Sequence, residues 1–169
     1  MRATNASGMK SKNKKLILDL IRKSNMSRAE LANETGLTRA ALTIIVDELL
    51  ANGIVEERLD YTNRVGRNPS KLYLKGDHSY FAGVDVNRTG FTFGIIDLAG
   101  NLITNLNHPR CTPEEFMVDL PKMFFEALEE HEISPQQIHS FGVTTPGPVD
   151  IEKRVILNPP SFNDWHDLP

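Results

Sequence analysis

The sequence predicts an α+β protein in two parts: a helical first half that ends in a β-ribbon, and a second half of strands around one long helix. Two observations support this prediction. Apolar residues recur at helical spacing as far as about residue 51, and short strand-like stretches follow. Residues 1–80 hold 14 Lys/Arg against 9 Asp/Glu, whereas residues 81–169 hold 5 against 13. We therefore expect a basic domain over residues 10–76 and an acidic domain over residues 80–169, with only the first meeting a polyanion.

The composition is that of an ordinary globular protein, with 40% hydrophobic and 24% charged residues in a chain of 169. The single cysteine, Cys111, excludes an internal disulfide framework and any multi-cysteine metal site. No apolar run approaches the roughly 18 residues of a membrane helix. The basic start is followed by a short apolar run that Asp19 ends, so it is not a signal peptide. We expect a cytoplasmic protein without a membrane partner.

Three helices are predicted in the first half, and residues 1–12 are expected to fray. The first helix begins at about Asn13. Ser27 with Glu30 three residues later forms a capping box that starts the second helix, and Gly36 suits the left-handed residue after it. Thr38 then caps the third helix. The predicted ranges are about 13–24, 28–34 and 39–51.

A β-ribbon is expected after the third helix. Residues 54–57 form a short predicted strand, residues 58–70 a polar and turn-rich loop, and residues 71–74 a second strand with alternating polarity. Residues 75–79 are predicted to form a linker. A short helix, a glycine turn, a longer helix and this ribbon together predict a winged helix-turn-helix, the geometry that places the longer helix in the major groove of DNA.

The third helix is predicted to have a core side and an outward side. The core side carries Leu42, Ile45, Val46 and Leu49, and the outward side carries Ala40, Thr43, Ile44 and Asp47, with Arg39 at the flank. An outward isoleucine is explained by contact with a thymine methyl, or else it is a scattered apolar surface residue. Arg39 and Thr43 suit hydrogen bonds to base edges or phosphates, although Arg39 also fits a solvated charge.

Two further elements are expected to contact the DNA backbone. Ser27 and Arg28 lie at the start of the second helix, whose amides suit a phosphate, although capping alone also explains Ser27. Arg64 and Arg67 flank Gly66 in the wing loop and suit a narrow minor groove, or else form a solvated turn. The complete predicted DNA-contacting set is Ser27, Arg28, Thr38, Arg39, Ala40, Thr43, Ile44, Arg64 and Arg67.

The second half is predicted to alternate strands with one helix. Thr112, followed by proline and two glutamates, caps a helix that runs to about Glu130, with a break or restart at Pro121. From Pro146 the chain is expected to form loops. Strands are predicted at 81–86, 91–96, 102–106 and 138–144, and a further short strand at 155–157.

The first half resembles the DNA-binding domain of the ROK family (repressors, open reading frames, kinases). The resemblance rests on SRAELANETGLTRAALTIIVDELLANGIVEE, followed by the wing GRNPSKLYL. Ala41 departs from the family pattern, which usually has threonine there, and this puts one polar contact in doubt. The resemblance implies a sequence-specific regulator that binds an operator as a homodimer, since a single helix-turn-helix offers too few specific contacts.

The second half resembles the start of the actin-like ATPase domain of the same family, over FAGVDVNRTGFTFGIIDLAGNLI. The family's Asp-x-Gly-Gly-Thr phosphate loop is replaced here by Asp85-Val86-Asn87-Arg88-Thr89, in which side chains stand where amides must approach phosphate. Structural roles are therefore expected for Asp85 and Thr89.

A sugar site is implied only by the resemblance of FGVTTPGPVD and LNPPSFNDWHDLP to the family's sugar-proximal loops. It places Gly147, Asn158 and Trp165 at the border of a sugar pocket. The alternative is an ordinary strand-ending turn with a buried Trp165.

The family's catalytic Asn-Asp segment, its Glu-x-Gly-His sugar motif and its zinc motif are not in this sequence. We expect an incomplete lobe, from the N-terminal portion of a longer repressor or a naturally truncated product, with the part after Tyr80 only marginally stable alone. The predicted function is a repressor of carbohydrate-utilisation genes relieved by a sugar or sugar phosphate, with no cofactor, metal or enzymatic activity. The alternatives are a sugar kinase with an accessory DNA-binding domain and a redox regulator that uses Cys111.

Overall fold

The computed structural model describes residues 6–59, 70–162 and 164–165. The chain divides into two compact units, Met1–His78 and Ser79–Pro169. The first unit contains the helices α1 (Ala6–Lys23), α2 (Arg28–Thr35) and α3 (Arg39–Ala51) and the strands β1 (Val55–Leu59) and β2 (Ser70–Leu74).

The first unit is a three-helix cluster closed by a two-stranded ribbon. β1 and β2 pair antiparallel, with Val55 opposite Leu74 and Leu59 opposite Ser70. All three helices and both strands contribute to one apolar core, because each has apolar residues on the side facing the others. The buried members of this core are Ile17, Ile21, Leu31, Leu42, Ile45, Val46, Leu49, Val55 and Leu72.

The first helix is longer than its apolar periodicity predicts. α1 begins at Ala6, so the expectation that residues 1–12 are frayed is wrong for residues 6–12. The ammonium groups of Lys10 and Lys14 lie 2.7 and 2.5 Å from the carboxylate of Glu48 on α3. Such ion pairs join the polar first turns of α1 to α3, an interaction that hydrophobic periodicity cannot reveal.

The second unit contains one four-stranded mixed sheet, one long helix and a small hairpin. The strand order is β5-β4-β3-β6, with β6 parallel to β3 and the other pairs antiparallel. α4 connects β5 to β6, as a parallel crossover requires. The elements are β3 (Tyr80–Asn87), β4 (Gly90–Asp97), β5 (Leu102–Pro109), α4 (Pro113–Glu130), β6 (Ile138–Thr144), β7 (Val149–Asp150) and β8 (Val155–Ile156), with a short 3-10 turn at Pro135–Gln137. A second 3-10 turn, Gly76–His78, ends the first unit.

The long helix α4 covers one face of this sheet. Phe93 of β4 is fully buried, with its ring centre 6.1 Å from that of Phe124 on α4. The predicted break at Pro121 is wrong, because α4 continues through it. Proline lacks the N–H that would bond to the carbonyl of Met117, but both residues lie on the exposed side of α4, where water can satisfy that carbonyl. The predicted α+β fold class is confirmed.

Candidate nucleic-acid interface

Two side-chain caps and one glycine fix the turn between α2 and α3. The hydroxyl of Ser27 accepts a bond from the amide of Glu30, whose carboxylate in turn accepts from the amide of Ser27 at 2.7 Å. Gly36 adopts a left-handed φ of 67°, and its amide donates to the carbonyl of Ala32 at 3.0 Å. The hydroxyl of Thr38 accepts from the amide of Ala41 at 3.2 Å. These local bonds set the direction in which α3 leaves the turn.

The core side of α3 lies as the sequence predicts. Leu42, Ile45, Val46 and Leu49 are each at most 4% exposed and pack in the core of the first unit. Because these four residues cover one side of a helix of 13 residues, the opposite side of α3 faces away from the core.

The outward side of α3 is exposed and chemically mixed. Arg39, Ala40, Thr43 and Asp47 are all exposed, and the side chain of Ile44 is 63% exposed. A cation, a hydroxyl and a branched apolar group therefore lie close together on one accessible helical surface. This combination suits contacts with phosphates, base edges and thymine methyls.

Arg28, the first residue of α2, is bound to two carboxylates of other elements. Its Nη1 lies 2.8 Å from the carboxylate of Asp47 on α3, and its Nη2 lies 3.5 Å from the carboxylate of Glu57 on β1. The other oxygen of Glu57 accepts a bond from the hydroxyl of Ser70 on β2 at 2.6 Å. These partners could not be predicted from the sequence, since residues 28 and 47 are 19 positions apart and no local pattern links them.

A second ion-pair cluster joins α1 to α3. Hydrogen bonds from Lys10 and then Lys14, together with the attraction of both charges, lower the pKa of Glu48 from 4.5 to about 2. The carboxylate of Glu48 therefore stays ionised at neutral pH and holds the two ammonium groups beside α3.

The ribbon is described only near its base. Arg64 and Arg67 lie outside the described residues, so their predicted contacts with DNA stay predictions. Within β1, the exposed Arg58 pairs with Glu56, and its guanidinium lies 5.0 Å from the ring centre of Tyr73. Arg58 is a further cation of the ribbon and is not among the residues predicted from the sequence to contact DNA.

In the second unit, Trp165 lines a groove of about 350 Å³. The indole is only 7% exposed, donates to the carbonyl of Cys111 at 3.3 Å and lies 5.2 Å from the ring of Phe116. Val143 and Ile156 also line this groove, whose walls are mainly apolar. Trp165 thus contributes an aromatic edge to the groove, while its N–H is already bonded to the protein backbone.

The other two residues of the predicted sugar border lie at the hairpin of β7 and β8. Val149 pairs with Ile156, and the amide of Leu157 donates to the carbonyl of Pro148 at 3.0 Å. Gly147 and Asn158 are the next residues outward from this pair, one on each side of the hairpin, and both are exposed. Their role beside a sugar stays a prediction.

The altered phosphate loop forms a tight β3–β4 turn that is closed by its own side chains. The amide oxygen of Asn87 accepts bonds from the amide and the hydroxyl of Thr89, at 3.0 and 2.6 Å. Hydrogen bonds from Thr144 and then Asn87 lower the pKa of Asp85. Asp85 and Thr89, at the two ends of the loop, thus have hydrogen-bond partners within the second unit, and the amide of Thr89 is directed to Asn87.

The environment of Cys111 opposes thiolate chemistry. Burial, followed by the charges of Glu115 and Asp119, raises the pKa of the thiol. Within the described ranges, no group of three or more His, Cys, Asp or Glu could hold a metal ion. No helix in that part of the chain is long and apolar enough to cross a membrane.

Comparison with known proteins finds a DNA-binding family and several repressors that are similar to this chain. Residues 10–56 match the family described as winged helix-turn-helix DNA-binding. The xylose repressors of Bacillus spizizenii and Bacillus subtilis are each 26% identical to this chain over 167 residues, which cover 95% of this chain and 42% of the repressor. The chain therefore spans about two fifths of the length of the curated relatives that it matches.

The fold also has a solved counterpart. The crystal structure of a ROK family transcriptional regulator, a homologue of the E. coli MLC protein, matches with a TM-score of 0.63 and 21% identity, covering 94% of this chain and 41% of that one. The resemblance to ROK regulators found in the sequence is confirmed, and both units have the fold that it implies.

Proposed function

We propose that this chain is the DNA-binding part of a transcriptional repressor that inserts the N-terminal half of α3 into the major groove of an operator. The observation that carries the proposal is the outward side of α3, where Ile44 is 63% exposed beside the exposed Arg39 and Thr43. When a thymine methyl covers an exposed apolar side chain, apolar surface is removed from water and the complex is stabilised. The match of residues 10–56 to a DNA-binding family supports the same role.

The proposed contacts follow from the positions of the side chains. Arg39 and Thr43 bind base edges or phosphates, and Ile44 contacts a thymine methyl. The N-terminal amides of α2 approach a phosphate beside Ser27, since a helix N-terminus favours an anion. The wing arginines occupy the adjacent minor groove. The proposed DNA-contacting surface comprises Ser27, Thr38, Arg39, Ala40, Thr43 and Ile44, with Arg64 and Arg67 on the wing.

The regulatory ligand of the complete protein is proposed to be a sugar or sugar phosphate. The similar proteins of both Bacillus species are named xylose repressors, which supports a carbohydrate effector without naming it for this chain. In a homodimer, the two DNA-binding units can be arranged in a way that fits the operator or in a way that does not. A ligand that binds more tightly to one of these two arrangements shifts the protein toward it and so changes the affinity for the operator. Gly147, Asn158 and Trp165 are the residues proposed to border the site.

We propose a regulatory rather than an enzymatic role for the second unit. A phosphate loop needs free backbone amides directed at the nucleotide. Here the amide of Thr89 is bonded to Asn87, and side chains occupy positions 87 and 88. Before this loop could bind a nucleotide for phosphoryl transfer, the amide of Thr89 would have to leave Asn87 and the side chains at positions 87 and 88 would have to turn away.

The function is tested by selection from random DNA. The 169-residue chain is incubated with a random duplex pool, bound sequences are amplified over several rounds, and affinities for an enriched duplex and a scrambled one are measured against salt. A specific regulator binds the enriched duplex at least about a thousandfold more tightly at physiological salt. Equal affinity for both duplexes at every salt concentration would rule out the repressor.

A further inference from the structure

We propose that Arg28 is a positioning residue that binds Asp47 and Glu57 at the DNA-binding surface and offsets the charge of Asp47, and that it does not itself bind phosphate. This inference rests on the proposed function, because it concerns how the same surface approaches DNA. It differs from the sequence-based expectation, which places Arg28 on a backbone phosphate.

The geometry of the guanidinium carries the inference. Its two terminal nitrogens are directed to two different carboxylates, at 2.8 Å for Asp47 and 3.5 Å for Glu57. The planar fork of arginine suits such a double contact, and lysine would not reproduce it. Glu57 is held in turn by Ser70 at 2.6 Å. One side chain at the start of α2 thus joins the recognition helix α3 to both strands of the ribbon.

The position of Asp47 explains why neutralisation matters. It follows Thr43 by four residues, so it lies one turn further along the outward side of α3. Its side chain is 58% exposed, whereas those of Arg28 and Glu57 are 30% and 32% exposed. A carboxylate within about 10 Å of DNA phosphates is repelled at ordinary salt, because that distance is the range of unscreened charge. The guanidinium beside it cancels this repulsion.

The two roles of Arg28 predict different results for one pair of substitutions. If Arg28 binds phosphate, Arg28→Gln loses that contact, and a second change at Asp47 cannot restore it. If Arg28 neutralises Asp47, then Arg28→Gln exposes a free carboxylate, and Asp47→Asn removes that carboxylate. Rescue of affinity with an unchanged salt slope therefore indicates neutralisation, because loss of a phosphate contact would lower the slope whatever residue stands at position 47.

The experiment measures DNA affinity of the full 169-residue chain at several salt concentrations, with the enriched duplex from the selection as probe. We expect Arg28→Gln to weaken binding by about tenfold at ~0.1 M salt, and Arg28→Gln/Asp47→Asn to return to within about twofold of the unsubstituted chain. The slope of log K against log salt should match that of the unsubstituted chain in the double variant, because the number of cations at phosphates is unchanged.

Arg22→Gln is the matched control. It removes an exposed arginine of the same unit that pairs with Asp19 within α1, so it makes the same change in net charge at a site outside α3 and the ribbon. We expect it to change affinity less than twofold. Because all members of the Arg28 cluster are at least 30% exposed, the variants should fold, as circular dichroism can verify. If Arg28→Gln alone unfolds, the double variant still gives the comparison with the unsubstituted chain.

Two results would overturn the inference. A double variant that stays as weak as Arg28→Gln, with a salt slope smaller by about 0.9, would assign Arg28 to a phosphate. A chain that binds no duplex, neither the enriched one nor a scrambled one, would remove the proposed function and this inference with it. If the unsubstituted chain binds the enriched duplex but the double variant does not regain its affinity, the inference about Arg28 is wrong and the proposed function stands.

Discussion

Substitution of Ile44 by alanine separates DNA recognition from folding. Complete burial of an isoleucine side chain stabilises by about 1.5–3 kcal/mol. Since 63% of Ile44 is exposed in the free chain, roughly that share can still be buried against DNA. Ile44→Ala should therefore weaken operator binding by about 1–2 kcal/mol, or roughly 5- to 30-fold in Kd.

The neighbouring isoleucine provides the matched control. Ile45 is only 4% exposed and lies in the core of the first unit, so Ile45→Ala should lower the free energy of unfolding by about 2–5 kcal/mol. Ile44→Ala should change the same quantity by less than about 0.5 kcal/mol, because it leaves no cavity. Urea unfolding followed by circular dichroism measures both values.

The thymine contact is tested by changing the DNA as well as the protein. Replacing thymine by uracil removes the C5 methyl and no hydrogen-bonding group. Uracil at the contacted position should weaken binding by the unsubstituted chain and leave binding by Ile44→Ala unchanged. Equal losses for both proteins at every thymine, or normal operator affinity of Ile44→Ala, would refute the assignment of Ile44 to the groove.

Two further predictions concern the stability of each unit. Glu48→Gln should lower the melting temperature of the first unit at pH 7. Because the pKa of Glu48 is lowered to about 2, the stability that its carboxylate contributes is complete above pH 4.5 and is lost as the pH falls toward 2. Melting temperatures of the unsubstituted chain and of Glu48→Gln should therefore converge toward pH 2. Gly90→Ala should unfold the sheet of the second unit, since φ is +142° and the new Cβ would lie 1.9 Å from the carbonyl oxygen of His108. Amide exchange measures that loss, and Gly142→Ala, with nothing within 4 Å of the new Cβ, is the tolerated control.

The features of α3 that the sequence predicts are those set by local rules. Thr38 caps the helix through bonds to its own first turn, and Gly36 supplies a left-handed residue, so both ends of the α2–α3 turn follow from residues nearby in the chain. The two sides of α3 follow from a period of 3.6 residues, which places Ile45 inside and Ile44 outside. Each prediction needs only residues within a few positions of one another.

The features that the sequence does not predict depend on tertiary neighbours. The carboxylates that bind Arg28 come from α3 and β1, and Lys14 of α1 pairs with Glu48, which is 34 positions away. The continuation of α4 through Pro121 depends on which side of the helix faces solvent. In each case the deciding contact is made only after distant segments have packed together.

The distribution of these ion pairs changes the meaning of the positive charge of the first half. Residues 1–80 carry a net charge of +5, but Lys10, Lys14 and Arg28 are bound to carboxylates of the same unit. The proposed DNA-contacting surface has three cations, Arg39 and the two wing arginines, which predicts a slope of log K against log salt of about −3 per bound chain. A slope near −5 or steeper would mean that further cations of the first unit reach the DNA, and a return toward −3 in Lys10→Gln/Lys14→Gln would show that the Glu48 cluster opens on binding.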